Sequence, residues 1–269
     1  IAMPFLYVID DSYCDKCGMC VEACKYNAID LTETEKTFEL NVSAVIVASG
    51  WKPYDATKLD NLGYGEFKDV ITNMELERLA SINGPTRGKI QTSDGRPIES
   101  VAFVQCAGSR DENHLPFCSA ICCLASMKEA TYIREQYPEA QIYIFYIDIR
   151  AFGRYEDFYN KIKEDKNIKF IKGKVAKVER ENGKLIVTAE DTMGGKRIHV
   201  PVDLVVLATG MQPSSADYKI PGIEYDEYGF VKENDGIIPA GVAAKPLEVA
   251  GSNESATAAA LKAIQIVKR

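Results

Sequence analysis

Apolar residues in this chain fall in short continuous runs parted by polar turns. The runs "VAFVQ" (101–105), "NVSAVIVASG" (41–50) and "DLVVLATG" (203–210) show little alternation, as strands buried on both faces do, and the last two run into a glycine-containing turn. A helical pattern opens at Ser119 and carries "SAICCLASMKEATYIREQ". The mixed charged and apolar run "NKIKEDKNIKFIKGKVAKVERENGK" predicts a solvated helix followed by hairpin strands, and "KRIHVPVD" a strand facing solvent. "SATAAALKAIQIVKR" is too short and too broken by Lys262 to span a bilayer, and reads as an amphipathic or buried helix. Alternating strand and helix patterns over 269 residues predict an α/β protein of about two domains.

Charge and cysteine content narrow the class. A formal charge of −7 with no long basic run argues against a nucleic-acid surface. No apolar stretch is long enough to span a membrane and nothing after Ile1 marks the chain for secretion; the opening at Ile1 is what a piece of a longer chain would show. Eight cysteines in a chain of this size, two of them adjacent at 122 and 123, suit metal ligation in a reducing compartment better than disulfide stapling.

Two cysteine groups carry candidate chemistry. "YCDKCGMCVEAC" places Cys14, Cys17, Cys20 and Cys24 at C-x2-C-x2-C-x3-C spacing, in which thiolates on a tight loop, helped by Gly18, reach three corners of one [4Fe-4S] cluster. Zinc is the competing ligand, but a second separated C-x2-C pair is missing. In two-cluster ferredoxins the fourth cysteine of each such run serves the other cluster. Cys24 therefore either closes the same cluster or serves partners upstream of Ile1. Lys25 stands where a proline is usual, and "FLYVID", the motif and "AIDL" together look like the second half of a ferredoxin module. The second group is Cys106, at the end of a strand, with Cys118, Cys122 and Cys123 around a helix start; four thiols within eighteen positions favour a ligand set over packing.

The run "CAGSRDENHLPFCSAICC" resembles the signature of the heterodisulfide reductase A-subunit family, flavoproteins in which the corresponding cysteines hold a [4Fe-4S] cluster. Within that family "ENHLPFCSAICCLASMKEATYIREQYPEA", "YIDIRAFGRYEDFYNKIK" and "VVLATGMQPS" are most similar to the branch found in quinone-interacting membrane-bound oxidoreductase complexes. The resemblance implies tandem dinucleotide-binding domains of thioredoxin reductase type, with a partial ferredoxin-like module at the N-terminus. It also implies FAD, QmoB- and QmoC-like partner subunits, and a cytoplasmic place at the inner membrane through them. The implied role is electron relay between the quinone pool and adenylylsulfate reductase, or, as in heterodisulfide reductases, flavin-based bifurcation towards a disulfide and ferredoxin. A zinc-holding, non-catalytic scaffold is the alternative of another class.

The two returns "ASGWKP" and "ATGMQP", about 160 residues apart, resemble flavoprotein chain returns and nominate Ser49, Gly50, Trp51, Pro53, Thr209 and Gly210 as cofactor contacts. The C-terminal run from Asp226 to Val267 resembles the closing FAD segment of thioredoxin reductases: a strand ending at Gly241, a loop, and an Ala-rich helix whose N-terminal amides face the flavin. It nominates Gly241, Val242, Lys245, Pro246, Glu248 and Val249, with Val242 where an aspartate normally stands. G-x-G-x-x-G is absent from the chain. The expected domains are 1–31 for the ferredoxin half, 32–75 with 238–269 for the FAD domain, and 76–237 for the second, cluster-carrying domain. Of the remaining polar residues, His114 is a candidate donor to a cluster sulfur, Arg110 a charge-balancing, flavin-binding or surface ion-pair residue, Asp148 a strand-end or capping carboxylate with a ribose-hydroxyl contact as the alternative, and His199 a solvent-facing residue.

Overall fold

The computed structural model describes residues 9–10, 12–34 and 37–268. Most of the expected strand "FLYVID" lies outside these. The chain divides into two units, Ile1–Val42 and Ser43–Arg269. The first holds one short helix, α1 (Met19–Ala23), capped by Gly18 in the left-handed region. None of its described residues is buried, and Tyr13, Met19 and Tyr26 stand largely in solvent.

The second unit runs through β1 (Val45–Val47), β2 (Trp51–Pro53), β3 (Val70–Thr72), α2 (Asn73–Ala80), β4 (Ser100–Ala107), α3 (Cys122–Gln136), β5 (Gln141–Tyr146), α4 (Tyr155–Lys163), β6 (Ile168–Lys172), β7 (Val175–Glu181), β8 (Lys184–Asp191), β9 (Lys196–Val202), β10 (Leu204–Thr209), β11 (Met211–Pro213), β12 (Ile237–Pro239) and α5 (Val249–Val267). Its centre is a five-stranded parallel sheet in the order β3-β10-β4-β5-β6. Successive residues of β4 feed opposite layers, as the two-residue pleat requires. Val101 and Phe103 pack with Leu76, Met127, Ile133 and Ile162 under the helices, while Ala102 and Val104 pack with Val178, Leu185 and Val187 under the antiparallel β7-β8-β9 sheet.

The chain leaves β4 through α3 to β5 and through α4 to β6, then returns by the β7–β9 meander to β10 on the other side of β4. Strand order thus reverses between β4 and β10. Crevices at the carboxyl ends of strands at such a point are where ligands of open α/β sheets bind. Elsewhere β1 pairs with β12 in parallel, and β2 pairs with β11, joining the two glycine returns: Trp51 faces Pro213 and Pro53 faces Met211.

Several expectations change. The helix opens at Cys122, three residues after Ser119, because the Ser119 hydroxyl bonds to Ser109 Oγ at 2.6 Å and accepts from Met211 N at 2.7 Å instead of capping the helix, and Ala120 has φ +63°. Of the charged run, α4 is the solvated helix, but Ile168–Lys172 joins the parallel sheet and the hairpin is β7–β8. The C-terminal strand ends at Pro239, before Gly241, and α5 buries only Ala259. Residues 54–72 pack with the central sheet through Tyr54, Leu59, Leu62 and Val70, ahead of the boundary expected near 75. His199, on β9, is exposed as expected and shares a hydrogen bond with Thr188 Oγ1. Among the described residues no helix is long and apolar enough to cross a membrane.

Two features anchor the sheet. Thr72 and Glu75 form a reciprocal capping box at the start of α2. Asp203, between β9 and β10, accepts from Glu99 N, Ser100 N and Ser100 Oγ at 3.0 to 3.1 Å and from Lys184 Nζ at 2.5 Å. Burial alone would push its carboxyl up, but Lys184 and these donors hold it below the ordinary range. The folded state therefore favours the ionised form, and that stability is present above the unfolded carboxylate value and lost as pH falls through the lowered one. Denaturant unfolding should show Phe103→Ala costing about 3–5 kcal/mol. Asp203→Asn should cost about 2–3 kcal/mol at neutral pH and flatten the acid limb of the stability curve. An unchanged acid limb would show that the carboxylate is not its source.

Candidate functional site

Cys106 is the penultimate residue of β4, at the reversal point. Val104 pairs with Leu207 and Ala107 with Thr209, so β4 carries one residue more than β10 across this interval. That is a bulge, a device that turns one side chain out of the ladder. Cys106 has φ +58°, and Arg110 and Ala120 nearby have φ +54° and +63°. Left-handed backbone at three non-glycine residues is uncommon and clusters at functional sites. Gly210, ending the return from β10, has no room for a side chain: a Cβ there would lie 2.4 Å from Ser109 Oγ and 2.8 Å from Leu115 Cδ1.

Around Cys106 stand the other three thiols of the group. Cys122 and Cys123 are buried in the first turn of α3, and Cys118 is half-buried on the loop before it. The Cys122 thiol points at Thr209 O (3.8 Å), and the Cys123 thiol at Gln105 Oε1 (3.3 Å) and Asp148 O (3.6 Å). Backbone amides point at the sulfurs: Ala120 N at Cys118 Sγ and Arg150 N at Cys123 Sγ, both at 3.4 Å. Burial, and then the neighbouring thiols Cys123 and Cys118, push the Cys106 thiol up to about 11. Burial pushes Cys122 well up as well, with Cys106, Cys123 and Cys118 adding to it, and raises Cys123. Cys106, Cys122 and Cys123 are thus held protonated chiefly by their burial, and a cationic guest would reverse that.

In the first unit Cys14 and Cys24 are half-buried and Cys17 and Cys20 exposed. The loop is shaped by Lys16 and Gly18 at φ +58° and +81° and by Asp15 accepting from Cys17 N. The amide of Ala28, 3.4 Å from Cys24 Sγ, lowers the Cys24 thiol. Among the described residues of this unit none is buried, and small domains without a sizeable core are usually organised by metals or disulfides. All eight cysteines are free. Among the described residues no three His, Cys, Asp or Glu side chains are grouped to hold a metal ion, so neither set is closed up around a single ion. The donor chemistry, soft thiols with amides aimed at sulfur, suits an iron–sulfur cluster, which spreads its ligands more widely than one ion does.

The flavin-contact candidates lie at the other returns. Ser49 is exposed and Gly50, at φ +74°, has open space where a Cβ would be; both follow the carboxyl end of β1. Trp51 and Pro53 are half-buried in β2, and Thr209 is buried with its hydroxyl on Asn73 Oδ1 at 3.4 Å. Gly241, at φ +58°, donates to Ser255 Oγ. Val242 packs against Met211 and Phe230, so its side chain serves the core. Lys245 and Val249 are exposed and Pro246 half-buried. The amides of Ala250 and Gly251, expected to face a flavin, are taken by the Glu248 carboxylate, which caps α5. The accessible backbone at Ser49, Gly50 and Gly241 fits a dinucleotide at strand ends; Val242 and the first amides of α5 do not contribute as expected.

Of the other expectations, His114 bonds to Tyr54 Oη at 2.9 Å through Nδ1, not to a sulfur, because Tyr54 packs beside it. Arg110 is ion-paired with Asp148, which also lies 3.6 Å from Arg150 Nε. Ser109, Ser119 and Gln105, which shape the cysteine group, were not nominated by sequence. The only signal was their position, Ser109 and Ser119 between the cysteines and Gln105 directly before Cys106.

The 4Fe-4S binding domain family (Fer4) matches residues 7–30. The A subunit of the ferredoxin:CoB-CoM heterodisulfide reductase of Methanosarcina acetivorans is 37% identical over 97% of this chain and 39% of its own. The A subunit of the H(2):CoB-CoM heterodisulfide,ferredoxin reductase of Methanothermobacter thermautotrophicus is 38% identical over 99% and 43%, and the iron-sulfur A subunit of the CoB--CoM heterodisulfide reductase of Methanocaldococcus jannaschii 38% over 96% and 42%. The chain spans about two fifths of the length of these relatives. Among solved structures, the thioredoxin reductases of Lactococcus lactis and T. acidophilum superpose with TM-scores of 0.52 at 16% and 17% identity, covering 83% and 84% of this chain and 66% of each of theirs. The chain is thus homologous, over nearly its whole length, to part of the heterodisulfide reductase A subunits, on a thioredoxin reductase-like α/β fold with a 4Fe-4S binding motif at its N-terminus.

Proposed function

We propose that this protein is an electron-transfer subunit of a larger oxidoreductase complex, holding [4Fe-4S] clusters and FAD. The observation that carries the reading is the bulged, left-handed Cys106 at the sheet's reversal point, gathered with three further thiols and two sulfur-directed amides. Cys106, Cys118, Cys122 and Cys123 would hold one cluster; Cys14, Cys17 and Cys20 would hold another, with Cys24 serving that one or a neighbour. Ser49, Gly50 and Gly241 would present backbone to the flavin, with Trp51, Pro53, Thr209, Gly210, Lys245, Pro246, Glu248 and Val249 around it. Such groups, when bound, pass electrons singly through clusters and singly or in pairs through a flavin.

The chain's own residues supply the setting. Burial of Cys106, Cys122 and Cys123 excludes water, and the amides of Ala120 and Arg150 stabilise charge on the sulfurs. Arg110 and Arg150 stand beside Asp148 at the same edge and offset added negative charge. Physiologically, the "YIDIRAFGRYEDFYNKIK" and "VVLATGMQPS" runs favour a role like that of QmoA, passing electrons between the quinone pool and adenylylsulfate reductase with QmoB- and QmoC-like partners at the membrane. A second reading, favoured by the names of the homologues, is heterodisulfide reduction with flavin-based bifurcation to ferredoxin.

Anaerobically prepared protein should contain about eight irons and about eight acid-labile sulfides per chain. Cys118→Ser should lower both to about four while leaving the far-ultraviolet circular dichroism unchanged. Zinc in place of iron, without sulfide, would refute the redox reading. Capture of the full-length protein with its native partners separates the two physiological readings. Reduction by a quinol analogue through co-captured membrane subunits supports the first, and turnover of a heterodisulfide by co-captured subunits the second.

A further inference from the structure

Glu129 is fully buried on α3, and neither of its carboxylate oxygens has a hydrogen-bond partner among the described residues. An unpartnered buried carboxyl is costly and calls for an explanation. It is not isolated. Ser126 Oγ, one turn earlier on the same helix and fully buried, and Gln105 Nε2 on β4 also lack partners among the described residues. Alternation along β4 puts Gln105 on the face covered by α2 and α3, the face to which Val101 and Phe103 contribute. The other end of the Gln105 amide, Oε1, meets the Cys123 thiol at 3.3 Å. Cys122, Ser126 and Glu129 follow one another at spacings of four and three, a single stripe of the helix. Gln105, Ser126 and Glu129 are thus three buried polar side chains within a layer built mainly of apolar ones, lying between the cysteine group and the far end of the stripe.

The outer end of the stripe reaches water. Glu77 on α2 influences Glu129, and Lys128 Nζ lies 2.6 Å from Glu77 Oε1 at the half-exposed surface. Burial, then Glu77, raise the Glu129 carboxyl well above its ordinary range, and Lys128 opposes them; no ionisable group of α4, β4, β5 or β10 acts on it. Glu129 lies about two helical turns beyond Cys123 and is not a candidate ligand.

Resting on the functional reading above, we propose that, in the alkaline interval where Glu129 is ionised, it takes up one proton when the four-cysteine site accepts one electron, with Glu77 and Lys128 as the door to solvent. The electron comes from a one-electron donor such as a reduced flavin or an iron–sulfur protein. The proton comes from water and forms an O–H bond on a Glu129 carboxylate oxygen. Both leave on reoxidation, so the net charge buried in the layer stays constant through the cycle.

The test is a redox titration of the full-length, cluster-loaded protein at several pH values from about 6 to about 9, followed by the paramagnetic signal that Cys118→Ser abolishes. Uptake of one proton per electron makes the equilibrium tenfold less favourable per pH unit, a fall of about 59 mV, over the interval in which Glu129 titrates. Glu129→Gln, which keeps the side chain's volume and cannot ionise, should remove this slope at unchanged iron and sulfide content. Infrared difference spectra of the wild type in that interval give an independent reading that needs no variant: a protonated-carboxyl band should appear on reduction and shift in deuterated buffer. A wild-type potential independent of pH, a Gln variant with the wild-type slope, or no carboxyl band overturns the proposal. Absence of sulfide at the four-cysteine site is a distinct outcome, which overturns the functional reading and this inference with it.

Discussion

Strand β4 is buried on both faces, and most of the second unit's architecture follows from that constraint. A strand covered by helices on one side and by a second sheet on the other admits little but apolar side chains until its end, and Val101 to Val104 obey this. Polar and reactive groups are thereby confined to its ends, Ser100 at the start and Gln105 and Cys106 near the carboxyl terminus. There the pairing with β10 slips by one residue, and the chain turns Cys106 out of the ladder. The thiols of α3 reach the same place because the crossover helix must begin where β4 stops.

The loop between β4 and α3 keeps its shape through two hydroxyls. Ser109 and Ser119 bond to each other, and Ser119 also receives the amide of Met211, tying the cysteine loop to the return that follows β10. Gly210 lets the segments approach this closely. The returns at residues 50 and 210, one before and one after the central sheet, are joined through β2 and β11. The cysteine group and the two glycine returns are in this way held by one continuous set of backbone and hydroxyl contacts.

Much of this was legible in the sequence, for physical reasons. Strands buried on two faces write themselves as unbroken apolar runs, and so β4 and β10 could be read, as could the glycine turns after β1 and β10. The cysteine spacing announced metal chemistry because few other pressures place adjacent thiols at a helix start. The start of α3 was misplaced because Ser119 looks like a cap in one dimension, whereas in three its hydroxyl is claimed by residues ten positions before and ninety-two after it. His114 was misjudged similarly: its partner, Tyr54, lies sixty positions away. The buried polar side chains at α3 were invisible because Gln105, Ser126 and Glu129 become unusual only once burial removes their alternatives. The capping of α5 by Glu248 needed geometry too, since a carboxylate at that position could equally face a ligand.

The left-handed backbone at Cys106 also bears on how such a sequence can diverge. Glycine adopts that conformation without cost, and asparagine tolerates it better than most residues do. Cysteine has no such advantage, so only the use of its thiol opposes replacement. In a lineage that stopped using the thiol, drift at this position would run towards glycine or asparagine and away from valine or isoleucine, whose branched side chains resist positive φ most strongly. The residue found at this bulge in any descendant is therefore a record of whether the site is still in service.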